Sequence, residues 1–275
     1  MKNIDPKTVE GFGLEWSSFN QVGLIEAEKK KIFDDYFGIF PWDRLPTASV
    51  GADIGCGSGR WASVVAPKVG FLHLVDASDK ALEVARNNLS DMNNCDFIHA
   101  SVAELPFDDK SLDFAYSLGV LHHVPDTAAA ITSISKKMKS GAPLLLYLYF
   151  AFDNRPWWYK ALWKLSDVFR RLISAMPFGA RRVVCQIIAG VVYWPLARCA
   201  RMLDAIRTLP SSWPLAYYRD KTFYVMRTDA LDRFGTRLEQ RFTRDQIERM
   251  FRQAGMKDIR FSDRPPYWCA VGFKE

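Results

Sequence analysis

Cysteine is scarce and unpatterned in this sequence of 275 residues: Cys56, Cys95, Cys185, Cys199 and Cys269 are odd in number, scattered, and form no Cys-x-x-Cys pair or Cys/His spacing. A disulfide framework and a structural zinc site are thereby excluded as the basis of the fold, no metal site is expected, and a reducing compartment fits best. Internal repeats and low-complexity tracts are missing too, which sets aside solenoids and disordered tails. Residues 1–13 show no basic stretch followed by an apolar core and a small-residue cleavage site, so the expectation is a cytoplasmic protein without a secretory leader. Nor is there a simple membrane span: the most apolar run, residues 183–197, is shorter than about 20 residues and is interrupted by Pro195. What the sequence does have is 49% hydrophobic residues, ample for a core. Its net charge of +6 favours anionic partners in general, such as a phosphate-bearing substrate, an acidic membrane surface or RNA.

Residues 1–48 are aromatic-rich and predict one helix, 24–37, with Ile25, Ile32, Phe33 and Phe37 at helical spacing. Beyond Pro41 and Pro46, strands at 48–54, 71–75, 96–99, 114–118 and 144–150 alternate with helices at 60–66, 79–89 and 127–138. Residues 153–225 break this rhythm with a helical stretch rich in Trp, Leu and Arg. The alternation then resumes: Thr243 and Gln246 form a capping box, Gly255 stops the helix, and strands at 259–262 and 268–273 close the pattern. The resulting fold class is α/β, a Rossmann-like, doubly wound, mostly parallel sheet of seven strands with a helical cap insertion. Residues 1–48 form an N-terminal helical lid segment, 49–152 and 226–275 the Rossmann-like domain, and 153–225 the cap.

The densest signal is Val50-Gly-Ala-Asp-Ile-Gly-Cys-Gly-Ser-Gly59, a strand running straight into a loop with glycines at 55, 57 and 59. Glycine permits a tight turn and a close backbone approach to a ligand. A tight strand-to-helix turn alone would explain the loop, but Asp76 ends the next strand, where a carboxylate can accept hydrogen bonds from both hydroxyls of a ribose. Nicotinamide enzymes share that placement. Three features separate this chain from them: Gly-x-Gly-x-Gly in place of Gly-x-Gly-x-x-Gly, Asp53 two residues before the loop, and Leu105-Pro-Phe107 after the third strand. Asp53 can match the ammonium group of a sulfonium cofactor, a charge a dinucleotide does not present.

With Val75-Asp-Ala-Ser78, Ala103-Glu-Leu-Pro-Phe107, Ser111-Leu-Asp-Phe114 and Leu118-Gly-Val-Leu-His-His-Val-Pro-Asp126 in order behind that loop, residues 50–150 resemble class I S-adenosylmethionine-dependent methyltransferases. The group resembled is the small-molecule one that includes ubiquinone-pathway and sugar methyltransferases. Residues 242–255 resemble the family's last helix. The resemblance implies S-adenosyl-L-methionine as cofactor, with Gly55 and Gly57 approaching the methionine part, Asp76 on the ribose, Ser101 and Val102 beside the adenine, and Ser117 offering backbone to the methionine end; Asp53 and Gly59 complete the expected cofactor-binding set. Many relatives carry an acid where Ser101 stands, which puts the adenine amino contact in doubt. It also implies a lid role for the segment around Trp16, against which stands an ordinary hydrophobic anchor.

Methyl transfer is an in-line displacement that needs alignment, desolvation and, for a hydroxyl acceptor, a base. His122, then His123, are the candidates, just beyond the fourth strand where ligands bind in open α/β sheets. Loop capping by these histidines is the competing explanation. Leu148 stands near the place where some sugar methyltransferases have an acidic partner, and Tyr147 and Tyr149 share a strand face that either substitutes a phenol or simply packs. The expected acceptor is a small molecule, such as a sugar, glycolipid or lipid-linked intermediate, with O-methylation the favoured chemistry. An RNA methyltransferase and a non-catalytic cofactor-binding component are the rival functions, although no RNA-binding module or Asn/Asp-Pro-Pro-Tyr site is present. Residues 155–207 read first as a cap or homodimer interface and second as a peripheral membrane contact on the inner face of a membrane. The charge-dense run from Tyr217 to Arg241, with Arg227, Asp229, Asp232, Arg233, Arg237 and Glu239, reads as a solvated surface or as part of an acceptor pocket.

Overall fold

The computed structural model describes every residue except Asn20 and Val22. In chain order the helices are α1 (Pro6–Ser18), α2 (Glu26–Phe37), α3 (Ala62–Val65), α4 (Asp79–Asn88), α5 (Thr127–Lys137), α6 (Trp157–Ser174), α7 (Phe178–Ile188), α8 (Trp194–Ala205), α9 (Phe223–Gly235) and α10 (Arg244–Gln253). The strands are β1 (Val50–Ile54), β2 (Phe71–Asp76), β3 (Cys95–His99), β4 (Phe114–Leu118), β5 (Pro143–Tyr147), β6 (Met256–Phe261) and β7 (Cys269–Lys274). They form one seven-stranded sheet in the order β3-β2-β1-β4-β5-β7-β6, parallel except for β7, which runs antiparallel to both neighbours. The doubly wound sheet expected from the alternation is therefore present. Its central strands β4 and β5 are apolar and almost wholly buried because helices cover both faces. The chain leaves β1 toward β2 and β3 and then returns to β4, so a crevice opens at the carboxyl ends of β1 and β4, the switch point at which such sheets bind ligands.

The chain divides into two compact units, one of residues 1–22, 29–150 and 238–275, the other of residues 23–28 and 151–237. The second unit extends to residue 237 rather than 225, because α9 packs on α6 and α7 within it. Other boundaries move for local reasons. Only residues 62–65 of the expected helix 60–66 are α-helical, since Pro67 forces a 3-10 turn. β5 stops at Tyr147 rather than residue 150, after which Leu148 exchanges backbone hydrogen bonds with Trp268 and Phe150 makes an isolated bridge to Phe242. The expected capping box of Thr243 and Gln246 and the helix stop at Gly255, with φ of +70°, are both formed.

One whole helix was not foreseen. α1 starts at Pro6 behind Asp5, whose carboxylate accepts a hydrogen bond from the Thr8 amide at 2.8 Å. Its apolar residues are too sparse to show a stripe, yet α1 packs on α4, and Gly13 makes the approach possible. A Cβ at Gly13 would lie 2.5 Å from Ser78 Oγ and 3.3 Å from Lys80 Cβ.

In the second unit, Pro195 does not interrupt the helix. Residues 189–193 form a π turn, Pro195 falls in the first turn of α8 where its missing N–H is no loss, and α7 to α8 becomes one 28-residue helical run. That run is long and apolar enough by composition to cross a membrane, contrary to the expectation drawn from the proline. The unit is held by buried charge. Arg170 donates to Asp167 at 2.7 Å and to the carbonyls of Thr236 and Arg237 at 2.9 and 3.1 Å, while Arg171 donates to the other Asp167 oxygen at 2.9 Å. Burial would raise the Asp167 carboxyl, but the two arginines outweigh it and hold it below the ordinary carboxylate range. A depressed folded-state pKa contributes stability above the unfolded value of about 4 that is lost as pH falls through the folded value. Asp167→Asn is accordingly expected to cost about 1–3 kcal/mol at neutral pH, with the gap to wild type closing below about pH 4. Urea denaturation across that range measures it.

Candidate functional site

β1 ends in a loop whose backbone is left-handed at Gly55 and Gly57, with φ of +78° and +55°. A Cβ at Gly55 would sit 2.4 Å from a Val120 methyl, and one at Gly57 2.8 Å from the Trp16 indole, so a side chain at either site would push the loop off its neighbours. The Gly55 and Cys56 amides donate to the Val75 carbonyl at 2.7 and 3.1 Å. Asp76, the last residue of β2, then accepts from the Gly57 amide through Oδ2 and from the Ser78 amide through Oδ1, both at 2.9 Å. Burial raises the Asp76 carboxyl, while hydrogen bonds from the amides of Gly57, Ser78 and Ala77 pull it back. Two backbone bonds leave a carboxylate with further acceptor capacity.

Over these elements lies a cavity of about 960 Å³, its mouth included. Strand ends form its base: Ile54 to Cys56 after β1, Val75 to Ala77 after β2, Ala100 and Val102 after β3, and Leu118 to Leu121 after β4. Thr8, Phe12 and Trp16 of α1 form another wall, and Arg60 and Trp61 line it as well, with the guanidinium 4.0 Å above the indole. Among the described residues no cluster of three His, Cys, Asp or Glu side chains is arranged to hold a metal ion.

Gly55, Asp76, Val102 and His123 of the expected site residues line this cavity. Asp53, Gly57, Gly59, Ser101, Ser117 and His122 do not, and each stands one layer back. Gly57 donates its amide to Asp76, and Gly59 makes room for Leu89, whose Cδ1 would be 2.8 Å from a Cβ there. Ser117 donates its hydroxyl to the Ile54 carbonyl at 2.7 Å, tying β4 to the end of β1, so Leu118 and Gly119 face the cavity instead. Ser101 is buried, and its hydroxyl has no hydrogen-bond partner among the described residues.

Asp53 is also buried, and its Oδ2 has no hydrogen-bond partner among those residues. Burial pushes the carboxyl up to about 8, with the Tyr116 hydroxyl and Arg60 lowering it and Asp76 raising it further. The folded protein thus retains a proton that the unfolded chain gives up near pH 4, and stability from this source falls as pH rises from about 4 to about 8. Asp53→Asn removes the dependence. The ligand-free variant is expected to melt higher than wild type by a margin that widens from pH 5 to pH 8 in thermal unfolding, by several degrees at the upper end. A constant margin would show that Asp53 ionises freely in the fold.

The two adjacent histidines part company. His122, the first candidate base, is fully buried with its ring stacked on Tyr149 at 3.8 Å and does not line the cavity. His123 reaches the cavity and lies 5.0 Å from the Phe12 ring. Its Nδ1 is 2.6 Å from the Leu238 carbonyl, which can only accept, so Nδ1 carries the proton and in neutral imidazole Nε2 keeps the lone pair. Residues 238–242 run past this loop as a strap: the Gln240 amide donates to the His122 carbonyl, Gln240 Nε2 to the Val124 carbonyl, and the Phe242 amide to the Tyr149 carbonyl. Within the strap Glu239 and Arg241 pair at 2.8 Å with side chains only 2% and 11% exposed, so this part of the charge-dense run is not a solvated surface. Tyr147 and Tyr149 are packed in an aromatic cluster, Tyr147 edge-on to Tyr36. Arg60, Phe12 and Thr8 were missed as site residues. Arg60 follows the glycine loop directly, and Asp5-Pro6 was the available helix-start signal.

A family described as methyltransferase domain matches residues 52–146, about a third of the chain. Demethylmenaquinone methyltransferase of Staphylococcus aureus (strain MRSA252) is 33% identical over 92 residues, 32% of this chain and 38% of that protein. The chain thus spans well under half the length of the curated relatives it matches. Among solved structures, a chain of the complex between the Trm112 methyltransferase activator and a methyltransferase of Haloferax volcanii superposes with a TM-score of 0.51 at 14% identity, covering 95% of this chain and 96% of that one. A possible exported protein of Bordetella parapertussis gives 0.51 at 14% identity, covering 90% and 68%. At those identities the likeness shows the fold alone, a seven-stranded, Rossmann-like sheet.

Proposed function

With a methyltransferase domain at residues 52–146 as premise, we propose that the chain is an S-adenosylmethionine-dependent methyltransferase acting on a small-molecule acceptor. The observation that carries this reading is the Asp76 carboxylate at the end of β2, set at the cavity edge beside a glycine loop too close-packed for side chains. Those residues fit the cofactor. Asp76 has acceptor capacity left for ribose hydroxyls, and Ala100, Val102 and Val120 offer an apolar slot for a flat ring. Asp53 and Arg60 place a carboxyl and a guanidinium behind and beside the loop, where the ends of an amino-acid zwitterion would be matched, an arriving ammonium group favouring release of the proton that burial holds on Asp53. Bound there, the cofactor supplies an electrophilic methyl group.

The chain's own work is orientation, exclusion of water and, for a hydroxyl acceptor, removal of one proton. We assign that last step to His123, the histidine that lines the cavity: the Leu238 carbonyl holds its tautomer, and Nε2, buried in the ligand-free fold, would be the acceptor. His122, stacked on Tyr149, serves as a packing residue that holds the loop. This favours O-methylation of a sugar, glycolipid or lipid-linked acceptor. The name of the Staphylococcus aureus relative makes a quinone the second acceptor to screen.

Calorimetry with S-adenosylmethionine and S-adenosylhomocysteine, with NAD as control, tests the cofactor assignment. Asp76→Ala is expected to weaken binding about 100-fold, the loss of two charge-assisted hydrogen bonds. Binding of NAD in preference, or no binding by folded wild type, would overturn it. Once an acceptor is found with labelled methyl donor, His123→Gln should lower kcat about 100-fold or more while cofactor affinity stays within a few-fold of wild type. An unchanged kcat would remove His123 from the chemistry.

A further inference from the structure

Helix α6 turns most of its large apolar residues outward. From α6 into the turn that follows, Trp158, Leu162, Leu165, Phe169, Leu172 and Met176 are spaced alternately by four and three residues, one continuous helical stripe, and all are exposed. Leu165 is 59% exposed and Leu172 61%. The opposite side, with Trp163, Ser166, Asp167, Arg170 and Ile173, is the side turned inward and tied down by the Arg170–Asp167 pair. A surface helix ordinarily does the reverse. The run from α7 to α8 repeats the pattern, exposing Val183, Ile187, Val191 and Met202 while burying Cys185, Ala189 and Tyr193. Fifteen of the eighteen large hydrophobic residues exposed among the described residues fall between 157 and 206, so the apolar surface is concentrated in this unit.

Charge identifies what covers it. Residues 155–206 contain nine Lys and Arg against two acids, Asp167, engaged by Arg170 and Arg171, and Asp204, paired with Arg219. Lys160, Lys164 and Arg171 follow one border of the α6 stripe, Arg182 and Arg201 are exposed on the second run, and Trp157, Trp158 and Trp194 are exposed alongside them. A second copy of this chain would bring the same cationic border against itself, with Asp167 and Asp204 already paired to arginines of their own chain. An anionic phospholipid surface supplies what both features require, acyl chains for the apolar stripe and phosphates for its border. Spanning does not fit: α7 packs on α9, and Arg181 and Arg198 are bonded to the carbonyls of Gly235, Arg219 and Lys221, so the run is not surrounded by lipid.

We propose that α6 and the α7–α8 run form a docking face that lies on an anionic bilayer surface. Such a face does not depend on methyl transfer, and it extends that reading by holding the enzyme where a membrane-resident acceptor would be found. Vesicle flotation of the full chain tests it, with mixed phosphatidylglycerol–phosphatidylcholine vesicles against phosphatidylcholine alone. Wild type is expected to float with the mixed vesicles and at least tenfold less with neutral ones or at high salt. Leu165→Glu with Phe169→Glu, and separately Lys160→Glu with Lys164→Glu, should each lower partition at least tenfold. All four positions are exposed, so circular dichroism should be unchanged, and cofactor calorimetry reports separately on the methyltransferase reading. Absence of flotation, equal binding to both vesicle types, or a lipid-free dimer that the apolar substitutions abolish would overturn the proposal.

Discussion

Two backbone hydrogen bonds accepted by one carboxylate, Asp76, locate the glycine loop and the start of α4 together. The rest of the cavity follows from them. Fixing the loop brings Gly55 against Val120 and Gly57 against Trp16, which leaves no room for adjustment on either side. Fixing Ser78 sets the N-cap of α4, and α1 rests there through Gly13. Phe12 and Trp16 therefore stand where they do because a residue at the end of a distant strand takes two amide hydrogens. A helix with little stripe of its own is held by this contact with α4, and one wall of the cavity is built on it.

Polar groups around the cavity are arranged in depth. Asp76 and His123 face it, while Asp53, Ser101 and Ser117 stand behind the backbone layer, where burial governs their behaviour. The contrast is sharpest at His122 and His123, which are neighbours in sequence and point in different directions. One ring is consumed by stacking on Tyr149, and the other is oriented by a carbonyl from the strap that returns after residue 237. That return segment brings its own buried ion pair, Glu239 with Arg241, so the floor beneath the histidines is charged yet closed to water.

Alternation of strand and helix made the sheet legible in the sequence, because a parallel sheet buried on both faces leaves apolar runs too short for helices, separated by turn residues and helical stretches. The glycine loop and Asp76 were legible for a similar reason: their spacing is dictated by backbone geometry. What stayed hidden was whatever depends on side-chain direction. Nothing in His-His distinguishes the two rings, and nothing in Ser101 or Ser117 says which side of a strand end they occupy. α1 was hidden because its strongest signal lies in its cap rather than its periodicity. Pro195 misled because a proline is read as a break unless the turn before it is known to be wide.

That wide turn has a consequence of phase. A regular α-helix advances about 100° per residue, and the extra residue admitted by the π turn at residues 189–193 sets α8 back by about that much. Without the correction, Ala197 and Ala200 would drift away from the side on which Cys185 and Ala189 are buried, and Met202 would rotate out of line with Val183 and Ile187. With it, a small-residue seam stays inward and an apolar ridge stays outward over the whole run. The single added residue thus works as a gear tooth: insertions or deletions of one position anywhere between 189 and 193 would leave both helices intact and yet turn their faces against each other.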